Sequence, residues 1–243
     1  MYLARVAELL AGLEAAREEA RALNDGPSGT LRMTSSVAFG ARMIVPLLGE
    51  FRALYPAIDF DLLFTDDNLD LIEQRIDLAA RLAPSYRGDV VGVRALTTRY
   101  RVVATPFYLA SAPPVARPAD LAAHRCLRFS LPPFRGRWLY RLSGTTDVQE
   151  APIAGDIVIS NALALHCAAL HGLGPALLPD WLIAGDFTRG DLVDIWPGYD
   201  WAATDFSTAA WLLYPSRQQL PPKTRVAIDF FRARLGKARA GSA

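Results

Sequence analysis

Lysine is scarce in this 243-residue chain: only Lys223 and Lys237 occur, and arginine supplies nearly all the remaining positive charge. With 26 basic and 25 acidic residues the formal net charge is +1, and the charges are interspersed. That excludes the basic footprint by which a domain grips a phosphate backbone. The two cysteines, Cys126 and Cys167, lie in unrelated segments, which excludes a disulfide framework and fits a reducing compartment. Long apolar runs are missing as well. The longest, from Ala162 to Ala184, is broken by His166, His171, two glycines, two prolines and Asp180, so it cannot span a bilayer. Arg5, Glu8 and Glu14 interrupt the amino-terminal segment where a secretory signal needs an apolar core, and the expected location is the cytoplasm. No Gly-x-Ser-x-Gly elbow, Walker-type loop or recognisable pair of catalytic carboxylates occurs, so no catalytic residue, no cofactor and no enzymatic activity are expected.

At 51% hydrophobic and 21% charged, the chain has the composition of a globular protein with one large domain or two modest ones. Its first segment, residues 1–25, reads as an amphipathic helix. Leu3, Val6, Leu10 and Leu13, with Tyr2, Ala16, Ala20 and Leu23, recur at spacings of three and four and form one stripe. Gly26-Pro27-Ser28-Gly29 detaches that helix from the first strand. A partner chain is the simplest cover for the stripe, and packing on its own domain is the alternative.

Beyond the linker, strands alternate with helices. Thr30–Ser36 alternates as a strand; a helical run from Phe39 ends at Tyr55-Pro56; Ile58–Phe64 is a strand, Asn68–Arg75 a helix, and Asp77–Leu82 and Val90–Leu96 are strands. This order predicts βαβ units and a mainly parallel sheet. After a strand at Arg101–Thr105, prolines punctuate shorter elements at Cys126–Phe129, Trp138–Leu142 and Ile157–Ser160. Asn161 then caps a helix that ends at His171, Gly172 and Gly174, followed by a buried strand at Ala176–Leu178. Ala209–Tyr214 and Lys223–Leu235 read as a last strand and helix. Two such halves, with the last elements returning to the first, imply two lobes and a ligand cleft between them.

Several segments carry a resemblance. Gly29-Thr30-Leu31-Arg32-Met33, Phe39-Gly40, Val45-Pro46-Leu47-Leu48-Gly49-Glu50-Phe51 and Tyr55-Pro56 open it; Asp77 to Arg81, Ala119 to Leu127, Gly172 to Pro179 and Leu213 to Arg217 continue it. In this order and spacing they resemble the effector-binding domain of LysR-type transcriptional regulators, from Thr30 to Leu235. The resemblance implies an α/β fold like that of type 2 periplasmic binding proteins: two Rossmann-like subdomains joined by two crossover strands, near Arg101–Thr105 and Ala209–Tyr214. It implies subdomain I at 29–103 with 207–236, subdomain II at 104–206, and a flexible tail at 237–243. It also implies that 1–25 is a linker helix pairing with a second subunit, in a homodimer or homotetramer. The family's winged helix-turn-helix should precede that helix, so DNA is expected to be reached only through a segment other than this chain.

In such a fold the cleft gathers helix amino termini with unpaired N–H groups. Ser35 and Ser36 precede one helix and Ser160 and Asn161 another on the opposite lobe; together they are able to hold a small metabolite, with acids among the candidates, or else they serve as caps and turn residues. Thr65, Asp66 and Arg81 fall at the same lobe edge, where Arg81 either pairs with an acidic effector or braces the loop at Asp66 or Asp67. Ser130 is the cleft candidate of the second lobe, and Phe206 offers an aromatic wall or a core residue. His166, Cys167 and His171 invite a metal, but residues five apart on a helix diverge, and no metal site is expected. A transporter's solute-binding protein and a two-lobed enzyme such as a dehydratase share the expected fold; the first should carry an export signal and the second a catalytic group at the cleft.

Overall fold

Alternating burial along Gly29–Ser35 makes β1, with Leu31 and Met33 in the core and Thr30 and Arg32 outside. The computed structural model describes Gly12 and residues 26–85, 90–216 and 220–238. The helix expected over 1–25, with Leu3, Val6, Leu10 and Leu13, lies outside the described residues apart from Gly12. After β1 comes an irregular helical run: α1 (Val37–Phe39), a π-helical turn (Gly40–Ile44), a 3-10 turn (Val45–Leu47) and α2 (Leu48–Leu54). Pro46 explains the irregularity, because it has no N–H for a regular helical bond. Next come β2 (Ile58–Phe64), β3 (Leu78–Ala83), β4 (Val90–Thr97), β5 (Tyr100–Ala104), α3 (Pro106–Ser111), β6 (Arg128–Phe129), β7 (Arg137–Leu142) and β8 (Gln149–Pro152). The chain continues through β9 (Val158–Ile159), α4 (Ala162–Leu170), β10 (Ala176–Pro179), α5 (Asp180–Arg189), β11 (Val193–Asp194), β12 (Tyr199–Ala202), β13 (Ala209–Pro215) and α6 (Pro222–Ala238).

Two sheets define two lobes. The first has the order β2-β1-β3-β13-β4, with β1 parallel to β2 and β3, and β13 antiparallel to β3 and β4. The second has the order β10-β5-β12-β7-β8, with β11 also on β5, and its ladders are antiparallel. The expected mainly parallel sheet therefore holds for β1, β2 and β3 alone. β13 runs against its neighbours because it returns from the other lobe, and β5 pairs with strands that double back on it. The chain crosses between lobes just ahead of the strands expected to cross, at Thr98-Arg99 and again between Ala202 and Ala209; Thr98 N–H donates to Thr208 O at 3.0 Å and ties the crossings together. Because β5 hydrogen-bonds within the second sheet, the first division falls at residues 97–100 rather than at 103.

Two further expectations are corrected. The helix over Asn68–Arg75 is a turn: Asp70 Oδ1 accepts the N–H groups of Ile72 and Glu73 at 2.8 and 3.0 Å, and Arg75 ends it at φ 52°. An Asp side chain that binds nearby backbone competes with continued helix. At the other end, α6 includes Lys237 and Ala238, the first residues of the tail expected at 237–243; residues 239–243 lie outside the described residues.

The first lobe's core centres on Phe51, whose ring meets Tyr55, Phe60, Phe230 and Phe231 at centroid distances of 4.9 to 5.8 Å. α6 is held on this lobe at its rim by Arg234 Nε donating to Glu50 Oε1 at 2.8 Å. The second sheet is covered on both faces. Val102 joins Trp138, Trp196 and Trp201 on one side, and its neighbour Val103 joins Leu178, Leu165 and Ile183 of the α4 and α5 side on the other.

Candidate functional site

The carboxyl ends of β1 and β2 bring Ser35, Ser36, Thr65 and Asp66 together, as the parallel register Ser35 to Phe64 requires. Thr65 N–H donates to Ser35 O at 2.9 Å and seats the loop beside the start of α1. Ser36 stands at the helix start without capping it: its side chain makes no cap bond, and Asp66 Oδ1 accepts the Val37 N–H from outside at 3.1 Å. Of the two roles open to Ser36, the side-chain cap is the one the geometry does not display. Ser35 Oγ and Ser36 Oγ are buried without a partner. A buried hydroxyl in that condition costs roughly 1–3 kcal/mol.

On the second lobe Asn161 caps α4, its Oδ1 accepting the N–H groups of Leu163 and Ala164 at 2.9 and 3.2 Å. Its Nδ2 donates to Asp66 Oδ2 at 2.9 Å, across the lobes. One carboxylate therefore joins the start of α1 to the start of α4. Ser160, just before, is exposed, and Ser130 N–H pairs with Ile159 O at 2.9 Å, which places Ser130 beside the same β6–β9 ladder.

Of the two roles open to Arg81, the loop brace is the one the geometry displays. Its guanidinium donates to Thr65 O at 2.8 Å, Thr34 Oγ1 at 3.1 Å and Asp67 O at 3.4 Å, so it reaches the loop through carbonyls. Phe206 stands apart from these groups. It lies at the hinge with the Arg141 guanidinium 4.2 Å from its ring centroid, and it lines a hollow of about 180 Å³ with Thr98, Arg99 and Asp205. A larger, open hollow of about 540 Å³ lies on the other side of the second crossing, lined by Pro132, Pro133, Gly136, Arg137, Ala203 and Thr204. Neither hollow is lined by Ser35, Ser36, Asp66 or Asn161: the lobes meet there.

A second meeting point escaped the sequence. Phe39 packs edge to face on Trp181 at the start of α5, and Asp180 exchanges backbone and side-chain bonds with Arg99 at the crossing. Burial pushes the Asp180 carboxyl above the usual range, against the pull of Trp181 N–H, Arg99 and Arg101. Asp194, paired with Arg101 at 3.2 Å, is raised for the same reason. His166 is taken by Asp186, at 2.6 Å, while Cys167 is exposed beside His171. Cys126 is a buried thiol that desolvation pushes up to about 12. Among the described residues no group of three or more His, Cys, Asp or Glu is placed to hold a metal ion, and no helix is long and apolar enough to cross a membrane.

This two-lobed frame has known counterparts. The sequence profile of the LysR substrate binding domain matches residues 24–236. The chain belongs to the LysR family. The LysR-type relatives include the HTH-type transcriptional regulator PtxR of Pseudomonas aeruginosa, 32% identical over 94% of this chain and 72% of that protein. Another is CrgA of Neisseria meningitidis, 30% identical over 97% of this chain and 77% of that one. The solved structure of CrgA, a LysR-type transcriptional regulator, superposes with a TM-score of 0.72 at 26% identity, covering 97% of this chain and 78% of CrgA. A full-length AphB variant gives 0.73 at 25% identity, over 92% and 74%. The fold is accordingly the LysR regulatory α/β fold, and the family is one of transcriptional regulators.

The LysR-like motifs have physical reasons here. A Cβ on Gly40 would lie 2.7 Å from the Phe64 ring, so the glycine after Phe39 lets the helical run pack on β2. A Cβ on Gly174, at φ 152°, would lie 2.0 Å from Arg125 O, and this close approach lets Leu127 N–H reach Pro175 O at 2.8 Å.

Proposed function

We propose that this chain is the effector-sensing and oligomerising part of a LysR-type transcriptional regulator, and that its lobes close on a small metabolite at Ser35, Ser36, Thr65, Asp66, Ser130, Ser160 and Asn161. The observation that carries the reading is the Asn161 to Asp66 hydrogen bond joining the two lobes beside two buried, unpartnered serine hydroxyls. A contact of this kind differs between open and closed states, and a ligand shifts such an equilibrium only by its difference in affinity for the two. Arg81 acts in this reading as the brace of the Thr65 to Asp67 loop, and Phe206 as a hinge residue. A second copy of the chain pairs through 1–25 in a homodimer or homotetramer, in the cytoplasm, and DNA is reached through a helix-turn-helix outside these residues. Kinship with proteins named as HTH-type transcriptional regulators supports the assignment.

Thermal-shift screening of a metabolite library on the wild type, Ser36→Ala and Asn161→Ala tests it. Ligands that raise the wild-type melting temperature should lose most of that effect in both variants. An equal response in all three removes these residues from the site.

A further inference from the structure

Resting on that reading, we infer that the site takes a neutral or cationic ligand bearing N–H or O–H donors, and that Asp66 imposes this class by occupying the seat an acid would need. Several of the groups that would receive a ligand carboxylate are already engaged by this chain. The first N–H of α1, on Val37, is bonded to Asp66 Oδ1. Leu163 and Ala164 at the start of α4 donate to Asn161 Oδ1. One of the two Asn161 amide N–H groups is held by Asp66 Oδ2. Arg81 is spent on Thr65 O, Thr34 Oγ1 and Asp67 O. Asp66 itself adds acceptor capacity beside two serine hydroxyls. A carboxylate offers about four lone-pair sites; Asp66 uses two of them in these bonds, and Asp67 adds a second carboxylate to the same loop.

Ser35 supplies the independent sign that a molecule belongs there. Its residue is fully buried, its carbonyl holds the Asp66 loop through Thr65 N–H, and its Oγ has no partner. Ser36 Oγ, next to the Val37 N–H that Asp66 binds, is in the same state. A hydroxyl serves a donor or an acceptor equally, so the neighbouring carboxylates decide. An amide, alcohol or ammonium group bonds to Asp66 in place; an acid must displace Asp66 or sit beside like charge, which lowers its affinity by roughly tenfold or more. On this inference acids are not among the effectors.

The test is a thermal-shift and calorimetric screen of matched carboxylates, primary amides and primary amines sharing each carbon skeleton, benzoate, benzamide and benzylamine among them. It is run on the wild type, Asp66→Asn and Asp66→Ser, with unliganded melts as controls for folding. Wild-type binders are expected among amides and amines, and both variants should gain at least about tenfold for the matching carboxylates while losing the amines. Wild-type binders that are carboxylates, with affinities unmoved or weakened by Asp66→Asn, overturn this inference and leave the site standing. Binding of any class that survives Ser36→Ala and Asn161→Ala unchanged, or no binder at all, overturns the site itself and the inference with it.

Discussion

Phe39 of the first lobe and Trp181 of the second meet edge to face, with ring centroids 5.2 Å apart and planes at 86°. Phe39 closes the three-residue α1 and Trp181 is the second residue of α5, so the contact fixes how two helix ends approach each other. Together with Asp66 and Asn161 it gives the lobes two separate points of attachment, one apolar and one polar. The polar point is exposed to competition from water and ligand, and the apolar point is not. Closure in this structure is therefore carried mainly by the rings.

Trp181→Ala should separate the lobes. The half-buried indole packs against the cores of both lobes, and its loss is expected to cost about 2–4 kcal/mol and to raise the radius of gyration in small-angle scattering. Trp181→Phe, which keeps an edge-to-face partner for Phe39, should hold the wild-type radius. An unchanged radius in Trp181→Ala would mean that the hinge strands alone set the lobe angle.

Gly174→Ala should destabilise the second lobe by more than about 2 kcal/mol. The new Cβ falls 2.0 Å from Arg125 O, backbone that cannot step aside without breaking the Leu127 to Pro175 bond. Gly190→Ala is the control: it also has positive φ, at 74°, but open space around it, so only the conformational strain applies. Urea midpoints of the two variants should differ, Gly174→Ala falling further.

The parts of the fold legible in the sequence were those with local causes. β1 and β2 alternate, Asn161 caps its own helix, and Tyr55-Pro56 ends the run before it. The failures share one physical feature, a partner far along the chain or a side chain folded back on its own backbone. Residues 68–75 have helical spacing, yet Asp70 captures the N–H groups that a helix would use. β5 pairs with strands more than seventy residues away, and nothing near Tyr100 announces their direction. The candidate site divides in the same way. Ser35, Thr65 and Asp66 could be placed together from strand ends, whereas the Asp66 bond to Asn161 joins residues 95 apart, and the Phe39 to Trp181 contact has no local signature at all.

His124 predicts a loss of stability on acidification. It is buried, Tyr108 Oη lies 2.9 Å from its Nδ1, and its Nε2 has no partner. Burial holds its pKa below the ordinary histidine range, with Asp120 pulling weakly the other way. The unfolded chain therefore takes up a proton that the folded one refuses, so stability falls as pH drops through the unfolded value of roughly 6.5 and levels off below the folded one. His124→Asn cannot titrate and places an amide at the reach of Nδ1 for the Tyr108 hydroxyl. Urea unfolding at pH 7.5 and pH 5 should show the wild type losing more stability than the variant; parallel losses would place the acid sensitivity elsewhere.

Asp186 should be the most costly charged residue to remove. It is 4% exposed and lies between His166 Nε2 at 2.6 Å and the half-exposed Arg189 at 2.5 Å, linking the middle of α4 to the end of α5. Asp186→Ala leaves His166 buried with no acceptor, and an unmet buried donor costs about 1–3 kcal/mol. Arg189→Ala removes only a guanidinium that water can replace, with an expected cost below about 1 kcal/mol. The link joins the two helices whose starts make the lobe-to-lobe contacts, since Asn161 caps α4 and α5 begins at Asp180 beside Trp181. Asp186→Asn, which keeps a side-chain oxygen for His166, should recover part of the loss in chemical denaturation. It should also retain whatever ligand response Asp186→Ala forfeits. If all three variants unfold at the wild-type midpoint, α4 and α5 are held by their apolar faces, and the buried pair contributes nothing to the orientation of Asn161.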